Sequence, residues 1–335
     1  MPIDSPQLKK PLEIRATLLL KGDCMLLRRL GSACCAVFCI VALATSSSTC
    51  VAENLKTADL IKQLESSQLE DQVRAAQMLG ESGPQAASAV PALIKVLRSG
   101  DVAVRFEAAL ALGRIGSGVE QVVPALTGLL SDKMPILQHA ALESLHLFGP
   151  DAASALPQIT PLLKSPEPGL RISAAHAVVD IAVNDRTAVA AAVAVLIDGL
   201  GQGPGIAHES VDALAHTGKD AVAPLLKALA SNDEMVKIHA ADALAAIGPE
   251  AAGAVKALLA LASSGKGDIP WHAVRALGSI GSDGTVVVPA LIKLLGHQDP
   301  VVRSEAAHAL GRYGTGAATA VPELTKVLGD RNDPV

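Results

Sequence analysis

The chain has 335 residues, half of them apolar but only 1% aromatic, and a formal charge of −5 at pH 7. So few aromatic residues favour a core of Leu, Val, Ile and Ala in closely packed helices over a β-sheet core. Without residues 1–52, the remaining 22 basic and 30 acidic residues give a charge of −8. This acidic composition argues against nucleic-acid binding, which requires a basic surface.

The N-terminal segment has the layout of a secretory signal. From Met25, a basic start (MLLRRLGS) is followed by an apolar run (ACCAVFCIVALAT) and then by small residues (SSSTCVA). We expect cleavage after Ala52, with cleavage after Ala44 as the alternative, and we expect translation to start at Met25. The other interpretation is an uncleaved membrane tether, although the apolar run is shorter than the ~20 residues that span a bilayer as a helix.

The sequence therefore divides into two parts. Residues 1–52 form the predicted leader, and residues 53–335 form a repeat array without cysteine, because all five cysteines lie within the first 50 residues. A disulfide, a cysteine zinc site and a thiol nucleophile are thereby excluded from the array. The predicted location is periplasmic or secreted after cleavage near Ala52, and the alternative is a protein tethered to the membrane by its N-terminal segment.

An internal repeat of 33 residues runs through the array. The segment SGDVAVRFEAALALGRIG at 99–116 recurs as SNDEMVKIHAADALAAIG at 231–248 and as HQDPVVRSEAAHALGRYG at 297–314. The units end near Gly83, Gly116, Gly149, Ala182, Gly218, Gly248, Gly281 and Gly314. A fixed period of this length is typical of helical solenoids.

Each unit has the pattern of a helical hairpin. Asp101 and Asp299 stand where the second helix needs an N-cap, and the closing glycines suit a left-handed C-terminal cap. Prolines are expected in the first turn of the first helix, where a missing N–H is harmless. These prolines are Pro91, Pro124, Pro157, Pro289 and Pro322.

An apolar stripe follows the second helix at positions i, i+4, i+7, i+8 and i+11, which predicts one buried face. In residues 101–116 the stripe consists of Val104, Ala108, Ala111, Leu112 and Ile115. One hairpin alone cannot offset its ordering entropy, so stability has to come from stacking of neighbouring units.

The pattern D-x-x-V-R-x-x-A-A-x-A-L-G-x-I-G in residues 101–116 resembles the HEAT-like repeats of the phycobilisome lyase type, and the resemblance covers about residues 54–335. It implies an all-α fold: a right-handed α-α superhelix, or HEAT/armadillo-type solenoid, of about eight helical hairpins plus a terminal half-repeat. It also implies that the second helices line a concave, ligand-facing surface. The lyases of this family act on intracellular pigment proteins, a role against which a cleaved signal argues.

A ninth unit begins at about Ala317, and its sequence ends after the first helix. Terminal repeats normally have a polar outer face, which this unit lacks. We expect either that a partner covers this end, for example a second copy stacked end to end through residues 317–335, or that the reading frame is truncated.

Positions 2, 3, 6 and 10 of each second helix, counted from the Val of the V-R pair, avoid the buried stripe. Seven of the nine histidines occupy these positions beside carboxylates. They are His139, His176, His208, His216, His239, His272 and His308. Such a face is compatible with a metal site, a pH-dependent binding groove or a solvated polar surface.

One resemblance would make this face enzymatic. Deoxyhypusine hydroxylase is also built of HEAT-like repeats, and it holds two irons with paired His-Glu dipeptides that would fall at positions 2 and 3. Here only His208-Glu209 matches that pattern. We therefore expect no catalytic residue, no cofactor and no metal. The alternative is a metal site or metal-dependent activity at His208, Glu209, Asp212 and His239.

The predicted function is that of a non-enzymatic, exported scaffold that binds a protein or peptide along the concave face. Interfaces are commonly anchored by aromatic and arginine side chains. The predicted contact residues are Phe106, Ile172, Ile238, Trp271, Arg275 and Arg312. For Trp271 the alternative is packing against a neighbouring hairpin. The arginines of the V-R position are expected to bridge adjacent turns; they are Arg105, Arg171 and Arg303.

Overall fold

The structure is a computed structural model and describes residues 57–264, 267–282 and 284–329. The predicted leader, residues 1–52, lies outside the described residues together with its signal segment and the expected start at Met25. In the described part, eight helical hairpins are followed by one further helix, and no strand occurs. This confirms the predicted all-α solenoid.

The hairpins follow one another directly along the chain. Their helices are α1 (Thr57–Gln63) and α2 (Leu69–Glu81), α3 (Val90–Ser99) and α4 (Val102–Ile115), α5 (Val119–Leu129) and α6 (Pro135–Leu145), α7 (Leu156–Ile159) and α8 (Pro168–Ile181), α9 (Arg186–Gly199) and α10 (Pro204–His216), α11 (Val222–Ala228) and α12 (Glu234–Ile247), α13 (Val255–Ser264) and α14 (Ile269–Ile280), α15 (Gly284–Leu294) and α16 (Pro300–Arg312), and the single α17 (Val321–Gly329). Short 3₁₀ segments occupy Gly83–Ala89, His146–Ala155, Thr160–Lys164, Gly218–Ala221, Gly248–Ala254 and Gly314–Ala320.

The predicted capping residues lie at the two ends of the second helices. Asp101 accepts a hydrogen bond from the backbone N–H of Ala103 at 2.9 Å, and Asp299 accepts one from Val301 at 2.8 Å. All the predicted closing glycines have positive φ; they are Gly83, Gly116, Gly149, Gly218, Gly248, Gly281 and Gly314. Only glycine adopts this conformation without strain, so the glycines fix the ends of the units.

The prediction for the prolines was correct for three and wrong for two. Pro91, Pro157 and Pro322 lie at the second residue of their helices. Pro124 and Pro289 instead lie inside α5 and α15, which begin five residues before the proline. In these two units the residues before the proline form α-helix where several other units have a 3₁₀ segment.

The buried stripe of the second helix is confirmed. Val104, Ala108, Leu112 and Ile115 have no solvent exposure, and Ala111 is 1% exposed. Consecutive second helices pack on one another more extensively than consecutive first helices do. The second helices thus form one continuous layer, and we call the solvent-accessible side of that layer the second-helix face.

Close approach within this layer depends on glycine and alanine. A Cβ added to Gly278 in α14 would lie 2.8 Å from the Cβ of Ala309 and 3.0 Å from its Cα in α16. A Cβ at Gly113 in α4 would lie 2.9 Å from the Cα of Ser144 in α6. Real Cβ atoms do not approach other atoms this closely, so these glycines set the spacing of the layer.

The arginines of the V-R position hold the turns between helices. Arg105 donates from Nε to the carbonyl of Leu97 at 2.8 Å and pairs with Asp132 of the following hairpin. Arg171 and Arg303 each donate to a carbonyl in the turn of their own hairpin at 2.8 Å. The predicted bridging role is confirmed for Arg105, and Arg171 and Arg303 each stabilise the turn of their own hairpin.

The last helix leaves apolar side chains in solvent. Leu328 is 77% exposed and Val321 is 58% exposed. No second helix packs on α17 within the described residues. Covering of this end by another chain therefore stays a prediction.

One stretch, Glu234–Ser263, is long and apolar enough on composition to cross a membrane. It is not one helix, because Gly248 (φ 71°, ψ −136°) separates α12 from the 3₁₀ segment that leads into α13. Ala240, Ala241 and Leu244 of α12 are buried in the protein core. We therefore assign this stretch to the repeat core.

Candidate functional site

The second-helix face carries polar contacts between successive hairpins. Gln77 donates to Glu107 at 3.0 Å, and Ser173 donates to Glu209 at 2.8 Å. His139 Nδ1 lies 3.1 Å from Ser173 Oγ, so three consecutive second helices are connected here. These contacts join residues 30, 34 and 36 apart, about one repeat period, because successive second helices pack side by side.

Near the N-terminal end of this face, burial raises the pKa of Glu107 above its usual value. The hydrogen bond from Gln77 and the positive charge of Arg114 act in the opposite direction but do not reverse the shift. Phe106, a predicted contact residue on the same helix, is half-buried and packs against the core.

Farther along the face, the structure brings together two of the predicted contact residues. The guanidinium carbon of Arg275 lies 5.1 Å from the centre of the Trp271 ring, within the range of a cation–π contact. Arg275 and His272 both donate to the same carboxylate oxygen of Asp242 in the preceding hairpin. Arg275 and Trp271 remain partly exposed, whereas His272 is 9% exposed.

Asp242 is ionised in this arrangement. Burial raises its pKa, but the hydrogen bond and charge of His272 and the charge of Arg275 outweigh burial, so the pKa lies below its usual value. The carboxylate thereby holds the Arg275 side chain beside the Trp271 ring. In the next hairpin, Arg312 is exposed and donates to Ser279 Oγ. The two arginines and the tryptophan lie on neighbouring second helices, α14 and α16.

The prediction was wrong for two contact residues. Ile172 is 1% exposed and Ile238 is 7% exposed, so neither is available to a partner. Both occupy position 2, which at 3.6 residues per turn lies within about 20° of position 9. Position 9 is that of Gly113, which packs against the next second helix. Consistently, the Ile172 side chain reaches the space beside Gly199 in the following hairpin.

The predicted histidine face is present. Six of the seven histidines are exposed or half-buried, and His272 is buried; the six are His139, His176, His208, His216, His239 and His308. Most of them make polar contacts with neighbouring backbone or side-chain groups. His308, for example, has Nδ1 3.1 Å from the carbonyl of Ser304.

The predicted alternative metal set does not assemble. His208 Nε2 lies 3.5 Å from Asp212 Oδ2 within one exposed helical turn. Glu209 accepts the Ser173 hydroxyl, and His239 Nδ1 is 2.7 Å from the carbonyl of Leu200. Across the part of the chain that the structure describes, none of these four residues belongs to a group of three potential ligands close enough to share one ion.

A different cluster, which the sequence did not reveal, surrounds Asp180. His146 Nδ1 is 3.0 Å and His176 Nε2 is 3.4 Å from Asp180 Oδ2, and His216 Nδ1 is 2.9 Å from Asp180 Oδ1. These residues come from three consecutive hairpins. We call His146, His176, Asp180 and His216 the Asp180 cluster.

The histidine rings of the Asp180 cluster contact one another. His146 and His176 stack with centroids 4.6 Å apart, and His176 and His216 meet edge to face at 5.3 Å. Burial raises the pKa of Asp180, but hydrogen bonds from His146 and His216 and the charges of His176 and His216 bring it below its usual value. Among the described residues, only His146, His176 and Asp180 offer three potential metal-binding atoms within 4.8 Å of one another.

The sequence did not place His146 on this face because His146 occupies position 9, outside the four positions predicted to face solvent. In two other hairpins this position is a glycine, Gly113 or Gly278, buried against the next helix. At His146, α6 gives way to a 3₁₀ segment, and the side chain reaches Asp180 of the following hairpin. A histidine in place of the usual small residue was the available signal.

Comparison with known proteins supports the repeat assignment. The HEAT repeats family profile matches residues 57–146 and 255–335, which together make up half of the chain. An engineered protein from the Northeast Structural Genomics Consortium is similar, with 30% identity over 82% of each chain and a TM-score of 0.42. Comparison with curated proteins gives no match.

Two natural proteins of known structure are also similar. Kap121p has a TM-score of 0.52 and 15% identity over 81% of this chain and 35% of its own, so this chain spans about a third of Kap121p. The CpcE–CpcF complex of phycocyanin lyase from Nostoc sp. PCC7120 has a TM-score of 0.38 and 20% identity over 84% of this chain and 99% of the other. On the profile match, the repeat period and the stacked hairpins, the chain belongs to the HEAT repeat family.

Proposed function

We propose that this protein is an exported, non-enzymatic scaffold that binds a segment of another protein along the second-helix face. The observation that carries the proposal is the partly exposed Trp271 beside Arg275, with Arg312 on the next second helix. Tryptophan and arginine are the side chains most enriched among residues that dominate binding energy.

The surroundings of Trp271 favour a rigid anchor over a mobile one. Asp242 receives hydrogen bonds from both His272 and Arg275, which fixes the two side chains that lie beside the indole. A side chain held in place before binding loses less entropy when a partner docks. The two arginines favour a partner segment that carries carboxylates, since guanidinium groups bind carboxylates in a bidentate manner.

The polar part of the face, in the earlier hairpins, would supply complementary contacts instead of anchors. Side chains such as Glu209 and His139 already bond within the layer, so they lose little by remaining paired when a partner covers them. Phe106, which is half-buried, would add an apolar contact in the second hairpin. Together these features support an extended binding surface with its strongest contacts near α14 and α16.

The structural neighbours are consistent with binding of protein segments. Solved structures that share the fold include Kap121p bound to Pho4p and Kap121p bound to Nup53p, each 16% identical to this chain with a TM-score of 0.51. At this identity the likeness concerns the fold. It supports the proposal because the same kind of helical array holds a protein partner in those complexes.

Export is proposed from the signal pattern that begins at Met25. Expression of the full chain in a bacterium, followed by N-terminal sequencing of the extracytoplasmic protein, tests this part. The expected first residue is Glu53, which follows cleavage after Ala52. A chain that stays in the cytoplasm with an intact N-terminus would contradict export while leaving the binding proposal open to its own test.

The binding proposal is tested with a displayed library of short random peptides, selected on the purified chain. We expect selected peptides to combine acidic residues with an apolar side chain. Trp271→Ala should weaken their binding at least about 30-fold, the loss of a ~2 kcal/mol contact. The matched control is Lys256→Ala, an exposed change on the first helix of the same hairpin. Equal binding to Trp271→Ala and the unmodified chain would contradict the proposal.

A further inference from the structure

The Asp180 cluster joins three hairpins at the least regular part of the array. His146 follows the end of α6, His176 and Asp180 lie in α8, and His216 ends α10. The closing residue of the unit that contains α8 is Ala182, the one unit end among the eight without a glycine. Packing of α8 against α6 and α10 is also less extensive than that of the other second helices on one another.

The ligand types in this cluster are those of a transition metal. Imidazole suits Zn²⁺, Cu²⁺, Fe²⁺ and Ni²⁺, whereas Mg²⁺ and Ca²⁺ prefer oxygen ligands alone. Two histidines and one carboxylate form a common three-residue set for Zn²⁺, with a fourth position open to water or another ligand. The cluster offers that set in His146, His176 and Asp180.

The distances are close to those of a tetrahedral site. Zn–N and Zn–O bonds of ~2.0–2.2 Å place neighbouring ligand atoms about 3.3 Å apart. The separations from Asp180 Oδ2 are 3.0 Å to His146 Nδ1 and 3.4 Å to His176 Nε2. The side chains of His146, His176 and Asp180 are 19%, 17% and 16% exposed, so the site is shielded yet accessible.

His216 has a distinct role in this arrangement. It bonds to Asp180 Oδ1, which leaves Oδ2 directed toward the other two histidines. A hydrogen bond to the second oxygen of a ligating carboxylate fixes its orientation and tunes metal affinity. The His216 side chain is 51% exposed, so the cluster is open to solvent beside His216.

From this geometry we infer that His146, His176 and Asp180 bind one Zn²⁺ ion that links the third and fourth hairpins, with His216 orienting the carboxylate. The ion would be a structural link in the middle of the array. This inference does not depend on the proposed function, because it concerns a different part of the face. It also departs from the sequence-based expectation of a metal-free protein, and it involves none of the four residues named for the alternative metal site.

The test is a Zn²⁺ titration of the purified, chelator-treated chain by calorimetry, with stoichiometry from native mass spectrometry. We expect one Zn²⁺ per chain and an increase in the melting temperature on binding, since a ligand that binds only the folded state stabilises it. Mg²⁺ should produce neither effect. Absence of Zn²⁺ binding would overturn the inference.

Three variants distinguish this site from other histidines. Asp180→Asn and His146→Gln should each weaken Zn²⁺ binding at least 100-fold, and His216→Ala should weaken it about 10- to 100-fold with the stoichiometry still one. The control is the double variant His208→Gln, Asp212→Asn, which removes a His–Asp pair of similar spacing elsewhere on the face. Circular dichroism establishes that each variant is folded. Loss of Zn²⁺ binding in the control, or undiminished binding in both Asp180→Asn and His146→Gln, would refute the site.

Discussion

Substitution of Gly278 by alanine tests whether close packing of second helices sets the geometry of the binding face. A Cβ at this position would lie 2.8 Å from the Cβ and 3.0 Å from the Cα of Ala309, so the helices α14 and α16 would have to separate. The same repeat position in the last hairpin is Gly311, where an added Cβ meets no atom within 4 Å. Each of the two glycines stands three residues before the closing glycine of its unit.

The comparison of the two variants separates packing from helix propensity. Alanine stabilises a helical position by roughly 0.5–1 kcal/mol relative to glycine, and this gain applies to both variants. Overpacking of a close contact costs about 1–3 kcal/mol and applies only to Gly278→Ala. We therefore expect Gly311→Ala to be slightly more stable than the unmodified chain, and Gly278→Ala to be less stable than Gly311→Ala by about 1–3 kcal/mol.

Urea unfolding followed by circular dichroism measures this difference, and the slopes should agree between variants so that midpoints can be compared. Similar stabilisation by both substitutions would show that α14 and α16 are farther apart than the structure indicates. In that case the placement of Trp271 and Arg312 on adjacent, tightly packed helices would also be wrong.

Three further predictions concern charge and the end of the array. Although burial raises the pKa of Asp242, His272 and Arg275 lower it below the usual value. The Asp242 carboxylate therefore stabilises the fold at pH values above its unfolded-state pKa of about 3.9. This stabilisation is lost as the pH falls through the pKa of Asp242 in the folded protein. The stability difference between the unmodified chain and Asp242→Asn, measured by urea unfolding, should thus be present at about pH 5 and disappear toward pH 2; a difference that persists there would contradict the assignment. Arg105→Gln should lower stability by about 1–3 kcal/mol through loss of charged hydrogen bonds but leave the affinity for a selected peptide unchanged, and weaker peptide binding would contradict its structural role. Leu328→Glu should convert any end-to-end dimer into a monomer in light scattering, because the charge lies on the exposed apolar end, and a dimer that survives it would exclude α17 as the contact.

The sequence was informative where one local rule determines the outcome. Asp101 caps α4 because its side chain bonds to the following N–H, and Gly116 ends the helix because its φ is +63°. Both outcomes follow from residue type and neighbouring positions alone. The buried stripe around Leu112 was predicted for the same reason, since a periodicity of 3.6 residues defines a single face.

Positions at the seam between hairpins were harder to predict. Ile172 and Ile238 lie where the solvent-facing side of each second helix meets its buried side. A rotation of the helix about its own axis by a few tens of degrees determines whether such a side chain is exposed or buried. That rotation is set by the next hairpin, whose Gly199 makes room for Ile172. Helical periodicity contains no information about that neighbour, so the sequence predicted an exposed contact where the structure has a buried one.

The Asp180 cluster also could not be predicted from helical periodicity alone. His146 and Asp180 are 34 residues apart, which is close to one repeat period, and such pairs meet across successive second helices. The period was known from the sequence, but the position of His146 is a buried glycine in two other hairpins, at Gly113 and Gly278. Its position at the end of α6, where a 3₁₀ segment begins, allows a large side chain there.

The most direct test of the account is photo-crosslinking in the compartment where the protein resides. A photoreactive phenylalanine derivative at position 271, which keeps an aromatic side chain on the second-helix face, is compared with the same residue at position 256, on the first helix of the same hairpin. We expect a discrete protein adduct from position 271 that is reduced by Arg312→Ala, and no adduct from position 256. Equal adducts from both positions, or an adduct from position 256 alone, would contradict binding along the second-helix face.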